Sequence, residues 1–304
     1  MPSVFIDGAA GTTGLEIRER LAGRADLDVV VLDEARRKDA AARAEALNDA
    51  DFVILCLPDE AAREAVALIR NPATRVIDAS SAHRVADGWT YGFPELGHDV
   101  TNAARVSNPG CYPTGFLALV APLVRAGLIP ADWPLSVNAV SGYSGGGKAL
   151  IERFEREGEL AFRGYGYALG HKHVAEMRLH AGLIHPPVFA PSVARAFRGM
   201  IVEVPLPLAA MPGGPTRAGV LETLAGFFAG RPLVRVHEER PDELLLHEHA
   251  PPSDRLDLYV FADERDTQAR LVAMLDNLGK GASGAAVQSL NLMAGLDPLA
   301  GLIA

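Results

Sequence analysis

Ser3-Val4-Phe5-Ile6-Asp7 reads as a short buried strand, and it runs straight into Gly8-Ala9-Ala10-Gly11-Thr12-Thr13-Gly14 and the helical stretch from Leu15 to Leu21. A glycine-spaced turn joining a strand to a helix constrains the fold more than any other feature of the chain. It is the context in which such spacing holds a dinucleotide pyrophosphate at a helix N-terminus. The spacing is GxxGxxG instead of GxGxxG, so a plain tight βα turn is the competing reading; position at the start of an α/β pattern favours the cofactor. Gly8, Gly11, Thr12, Thr13 and Gly14 are therefore the first cofactor-binding candidates.

The pattern that follows supports this context. Asp28 to Asp33 is a second strand, ending about twenty residues past the glycines, where the ribose-reading acid of NAD enzymes is expected. Asp33 fits that role, whereas Arg36, Arg37 and Lys38 immediately after it suit the 2′-phosphate of NADP or a solvated helix start. Asp51 to Pro58 has the continuous apolar character of a parallel strand covered on both faces, with Cys56 as packing. A helix over Asp59 to Ile69 precedes a strand at Arg75 to Asp78, which ends in Ala79-Ser80-Ser81-Ala82-His83-Arg84. This alternation predicts a doubly wound parallel sheet, whose ligands collect at the carboxyl ends of strands. Pro58 and Ser80 join the cofactor candidates there, and Ser81 and Arg84 the substrate candidates; for Arg84 a surface salt bridge is the alternative to anion binding.

Val106 to Gly115 delivers a cysteine at a helix start. Asn108-Pro109-Gly110 is a turn signal, Pro113 suits the first helical turn, and Phe116 to Val124 is an apolar helical run. A thiol there lies near backbone N–H groups and the positive end of the helix dipole, which favour thiolate. Cys111 thus reads as a nucleophile, with a small buried hydrophobe as the alternative. Asn108 beside it joins the substrate candidates. The only other cysteine is Cys56, so a disulfide framework is excluded and a reducing, cytoplasmic setting fits.

The 304 residues suffice for two domains, and the net charge of −9 speaks against nonspecific nucleic-acid or anionic-membrane binding. No apolar run reaches the roughly 18 residues of a membrane span, and no secretory signal is visible. Leu135 to Val140 is a strand entering Ser141-Gly142-Tyr143-Ser144-Gly145-Gly146-Gly147-Lys148. Gly142 to Lys148 matches the start of a Walker A loop, but Ala149 stands where the Mg²⁺-ligating hydroxyl belongs, so Ser144, Gly145 and Lys148 read better as a donor-rich wall of a small-molecule site. His171, His173 and Glu176 follow within six residues. With Val174 onward helical, His173 and Glu176 share a face, so the carboxylate can orient the imidazole. A zinc site lacks further ligands, and structural histidines are the other reading. From Val188 strand-like segments alternate with short helices, as in an α+β domain, and Lys280 to Gln288 opens a last apolar helix.

Taken together, the glycine turn, Cys56-Leu57-Pro58, Asp78 to Arg84, Asn108 to Thr114, the serine-glycine loop before Lys148, the His171 to Glu176 cluster and Lys280 to Gln288 resemble the shorter type of the N-acetyl-gamma-glutamyl-phosphate reductases, in the semialdehyde dehydrogenase group. The likeness runs over nearly the whole chain. It implies a Rossmann-type dinucleotide-binding domain, residues 1–109, completed by the C-terminal helix 283–304, and a catalytic and oligomerisation domain, residues 110–282. It also implies NADP(H), an acyl phosphate substrate, a homodimer or homotetramer, and no metal. Cys111 would form a thioester with release of phosphate, and NADPH would reduce it through a thiohemiacetal to N-acetylglutamate semialdehyde. His171 or His173 would handle protons, and Arg84 would hold phosphate. Three alternatives stay open: the same reaction on an aspartyl or carrier-linked aminoadipyl phosphate, a P-loop kinase, and a nonenzymatic dinucleotide sensor.

Overall fold

Short, continuously apolar strands separated by helices can only be buried on both faces, and they do so in a parallel sheet. The computed structural model covers residues 1–304 and divides into two units, residues 1–109 with 282–303, and residues 110–281. In the first unit the strands are β1 (Ser3–Asp7), β2 (Asp28–Val30), β3 (Phe52–Leu55), β4 (Arg75–Asp78), β5 (Thr90–Tyr91) and β6 (Arg105–Ser107), interleaved with α1 (Thr12–Leu21), α2 (Ala40–Asp49) and α3 (Asp59–Leu68). Every pairing is parallel, in the order β2-β1-β3-β4-β6-β5. The order reverses between β1 and β3, which makes the carboxyl end of β1 the topological switch point where such sheets bind ligands. One face packs Val4, Ile6 and Ile54 against Ile17 and Leu21; the other packs Phe5, Val53 and Leu55 against Leu47 and Ala62.

The second strand is shorter than the apolar run predicts. It stops at Val30, because Asp33 starts a turn instead: its carboxylate accepts the Arg36 N–H at 2.8 Å and its carbonyl accepts that of Arg37 at 2.9 Å.

The second unit opens with α4 (Cys111–Arg125) and continues through β7 (Ser136–Gly142), α5 (Gly147–Arg156), β8 (Phe162–Gly164), α6 (His173–Ala181), β9 (Val188–Ala194), β10 (Met200–Leu206), α7 (Arg217–Phe227), β11 (Val234–His237), β12 (Leu256–Ala262) and β13 (Ala269–Leu275). The strands form one mixed sheet, β11-β12-β13-β10-β7-β9-β8. Helix α4 is buried on every side from Tyr112 to Leu123, as a helix without a polar stripe must be. It lies so close to the sheet that a Cβ on Gly115 would come 2.9 Å from a Val202 methyl. The opposite side of those strands keeps Val140, Ile201, Met274, Tyr259 and Phe261 only half-buried.

After one π-helical turn (Gly279–Ser283), α8 (Gly284–Met293) belongs to the first unit. Val287, Leu290 and Met293 join the Ile17 and Leu21 core, and Arg24 donates to Asn291 Oδ1 and the Ala300 carbonyl, both at 2.9 Å. The doubly wound parallel sheet and the second α+β domain read from the sequence are both present. No helix is long and apolar enough to cross a membrane.

Candidate active site

The first-strand turn is shaped by what its glycines lack. Gly8 has φ +85°, and a Cβ there would lie 2.3 Å from the Cys56 carbonyl oxygen; one on Gly14 would lie 2.6 Å from the Gly8 carbonyl oxygen. Gly11 caps α1 with no side chain, so the first-turn N–H groups of Thr12 and Thr13 meet no capping side chain. Beside this turn is a cavity of about 500 Å³ lined by Gly8, Ala9 and Ala10 and by four cations, Arg18, Arg37, Lys38 and Arg43. Arg43 is held by an ion pair to buried Asp7 at 2.7 Å, which neutralises the carboxylate at the end of β1. Close backbone approach, an uncapped helix start and a cationic wall fit a phosphorylated dinucleotide.

The basic residues do not all face that cavity. Arg37 and Lys38 line it, with Arg37 gripped by Glu34, whereas Arg36 lines a separate depression beside its partner Glu45 at 3.3 Å. Asp33 is occupied with the turn backbone. Pro58 is the N-cap of α3, and its neighbours Leu57 and Ala61 reach the cavity.

At the end of β4 the two serines are held by carboxylates. Ser80 bonds Asp78 through both N–H (2.9 Å) and hydroxyl (2.7 Å), and Ser81 bonds Asp59 likewise at 2.9 and 2.7 Å. His83 Nδ1 is 2.6 Å from the same Asp78 and its ring stacks on Trp89. Arg84 donates from Nε to the Asn108 carbonyl at 2.9 Å, which fixes the guanidinium at the strand ends. Asn108 is buried and donates to the Ala282 carbonyl, while its Oδ1 accepts no hydrogen bond.

Cys111 is the first residue of α4, after an N-cap glycine with no capping side chain. The Gly110 N–H is taken by Glu176 Oε2 at 3.1 Å, and Glu176 is 1 % exposed. Its other oxygen is 3.9 Å from His173 Nε2, outside hydrogen-bond range but close enough for a charged pair. The shared face read from the spacing exists, yet Glu176 also bonds the cysteine turn, a long-range contact that no local signal reveals. His171 Nδ1 accepts the His173 N–H at 3.2 Å and the two rings meet edge-on, 4.7 Å between centroids. Tyr112, Tyr165 and Phe189 surround them. Tyr165 donates to the Tyr112 hydroxyl at 3.3 Å and Tyr112 to the Ser192 carbonyl at 3.0 Å. Burial pushes both hydroxyls up, so they remain donors at neutral pH.

The serine-glycine loop is less uniform than its sequence. Ser144 is buried and accepts from Asn277 at 2.9 Å, so it braces the loop, and a Cβ on Gly145 would crowd the same amide at 3.3 Å. Lys148 is exposed in the first turn of α5, where no acidic residue offsets it. The tyrosines, Arg43 and Asp7 were not singled out by sequence reasoning. Only Asp7, directly before the first glycine of the turn, carried a local signal.

The fold and this site define a semialdehyde dehydrogenase. Residues 3–104 match the semialdehyde dehydrogenase NAD binding domain and residues 111–277 its dimerisation domain. Solved structures share the fold: a probable aspartate-semialdehyde dehydrogenase from Pseudomonas aeruginosa (TM-score 0.71, 20% identity, covering 97% of this chain and 99% of that one) and aspartate semialdehyde dehydrogenase with NADP from Candida albicans (0.65, 13%, 97% and 98%). Nearer in sequence are the N-acetyl-gamma-glutamyl-phosphate reductases of Burkholderia ambifaria, 51% identical over 97% of each chain, and of Trichormus variabilis, 47% identical over 99% of each. The chain belongs to the N-acetyl-gamma-glutamyl-phosphate reductase family.

Proposed function

We propose that the protein reduces N-acetyl-L-glutamyl 5-phosphate to N-acetyl-L-glutamate 5-semialdehyde with release of phosphate, using NADPH, in the cytoplasm. The observation that carries this reading is Cys111 at the start, without a capping side chain, of a helix buried from Tyr112 to Leu123, with Glu176 on the preceding N–H and a histidine pair beside that carboxylate.

The Cys111 thiolate is favoured by the helix N-terminus and attacks the acyl carbonyl; the C–O bond to phosphate breaks and a thioester forms. Arg84 receives the departing phosphate. NADPH, when bound, would supply the hydride that reduces the acyl group, and Gly8 to Gly14 with Arg37 and Lys38 would hold it. Reduction leaves negative charge on the acyl oxygen. His173, as an imidazolium stabilised by Glu176, would lend that oxygen a proton and take it back as the C–S bond breaks and aldehyde and Cys111 thiolate separate. His171 positions His173 through its backbone N–H. Glu176 also holds the cysteine turn, so removing it disturbs nucleophile and proton carrier together.

The half-buried sheet face of Val140, Ile201 and Met274 takes a second copy of the chain, face to face about a two-fold axis. The match of this unit to a dimerisation domain supports that reading. Ile201→Arg should shift sedimentation toward the monomer; an unchanged dimer would rule that face out. For the activity, phosphate-dependent reduction of NADP by a panel of semialdehydes should give the highest kcat/KM with the N-acetylglutamate compound. A higher value with aspartate semialdehyde would move the substrate reading to that acid.

A further inference from the structure

Another glycine contact involves Cys111 itself. A Cβ built on Gly281 would lie 2.9 Å from the Cys111 Cβ, 3.3 Å from its Cα and 3.1 Å from the Asp276 carbonyl oxygen. Gly281 belongs to the single π-helical turn Gly279–Ser283, an element that is rare and concentrated at functional sites. The turn is backed from its other side as well: a Cβ on Gly279 would lie 1.9 Å from the Ser253 carbonyl oxygen. Its root is fixed by buried Asp276, whose carbonyl accepts the Gly281 N–H at 2.9 Å and whose carboxylate takes Arg198 at 3.0 Å, the Leu278 N–H at 2.9 Å and the Ser253 N–H at 3.2 Å. The turn is therefore held between the Ser253 carbonyl on the Gly279 side and Cys111 on the Gly281 side.

Resting on the reading of Cys111 as nucleophile, we infer that Gly281 is a positioning residue for the reaction: the π turn is a backstop that sets where the thiolate stands. Glycine is required because the backstop is backbone. A methyl group at 281 must displace Cys111 or the turn by a large fraction of an ångström, since Cβ atoms essentially never approach within 3.0 Å of another heavy atom. A misplacement of about 1 Å at a reacting group can cost about a hundredfold in rate. The anchor at Asp276 and Arg198 blocks the alternative, in which the turn retreats and leaves the thiolate in place.

The test compares wild type with Gly281→Ala. Acyl-enzyme formation is followed by intact mass after mixing with N-acetylglutamyl phosphate without NADPH, and NADPH affinity is measured separately by fluorescence titration. The expected result is acylation slowed about a hundredfold with NADPH affinity unchanged, a split that general destabilisation does not produce. Acylation of the variant at the wild-type rate would overturn the inference. Wild type failing to acylate at Cys111 would instead remove the proposed function. Thermal unfolding in a Cys111→Gly background, where the opposing Cβ is gone, covers failure to fold: Gly281→Ala should cost far less there than in wild type, and an equal cost in both backgrounds would also overturn it.

Discussion

Cys56 and Cys111 each stand against a glycine whose missing Cβ leaves room for them, at 2.3 Å from the Cys56 carbonyl and 2.9 Å from the Cys111 Cβ. What the two contacts serve is different. At the end of β3 the backbone of Cys56 lets Gly8 turn at positive φ, and the thiol is incidental: burial, then the charges of Asp78 and Asp7, push it up to about 12. At the start of α4 the glycine contact supports the thiol's own residue, on a helix end that favours the anion. The same steric device shapes the glycine turn in one unit and seats Cys111, the proposed nucleophile, in the other. What separates the two cysteines is the chemistry around the sulfur.

The largest effect that bears on this contrast is loss of the proposed nucleophile. Cys111→Ser should fold and bind NADPH but yield no acyl adduct by intact mass, while Cys56→Ser should acylate normally. An adduct persisting in Cys111→Ser would transfer the reaction elsewhere. In the unmodified protein, alkylation near pH 8 should label Cys111 alone, because a thiol raised to about 12 is almost entirely protonated there.

Next in size are the histidines. His173→Ala should lower turnover by about a hundred- to ten-thousand-fold, the usual contribution of a general acid or base. His171→Ala should cost less, since its contact is through the His173 backbone N–H. Turnover of both variants at the wild-type rate would dismiss the pair. The reverse order would make His171 the proton carrier.

Why one half of this arrangement is readable from sequence and the other is not follows from how each contact is made. Gly8 to Gly14 and Pro109 to Pro113 act through their own backbone, so a strand, a turn and a helix start suffice to recognise them. Ser80 and Ser81 sit where ligand-binding hydroxyls were expected, yet the acids that hold them, Asp78 and Asp59, include one that is distant in sequence. The Glu176 bond to Gly110 and the Gly281 contact with Cys111 join segments far apart in the chain, and only the folded sheet brings them together. Arg36 and Lys38 are both cationic. The turn started by Asp33 decides which of them faces the cavity.

A smaller effect separates the glycines of the first turn. Gly8→Ala forces φ +85° on a residue with a side chain and drives it into backbone, at a cost of about 1–3 kcal/mol from the conformation alone. Gly11→Ala meets nothing nearer than 3.4 Å at a negative φ, so its melting temperature should stay close to wild type. Equal melting temperatures for the two variants would show that the Gly8 contact relaxes without strain.

The smallest effect concerns how the cavity reads a 2′-phosphate. Arg37 enters it already paired to Glu34 through two N–H groups, and Glu34 is largely exposed, so an incoming phosphate gains the guanidinium only by displacing a carboxylate. Hydrogen bonds from the guanidinium to phosphate are charge-assisted, but the exchange returns only the difference between phosphate and Glu34. Arg37→Ala should therefore weaken NADPH by no more than about tenfold and leave NADH unchanged. Lys38→Ala should act in the same direction, and Arg36→Ala, facing the other depression, should not. Glu34→Gln removes the competing charge and should tighten NADPH binding relative to NADH. Titration of both reduced cofactors against these four variants checks the set. NADPH binding that weakens in Arg36→Ala alone would put the phosphate on the other side of the turn, and NADH weakening in step with NADPH in Arg37→Ala would remove the 2′-phosphate as the group this arginine reads.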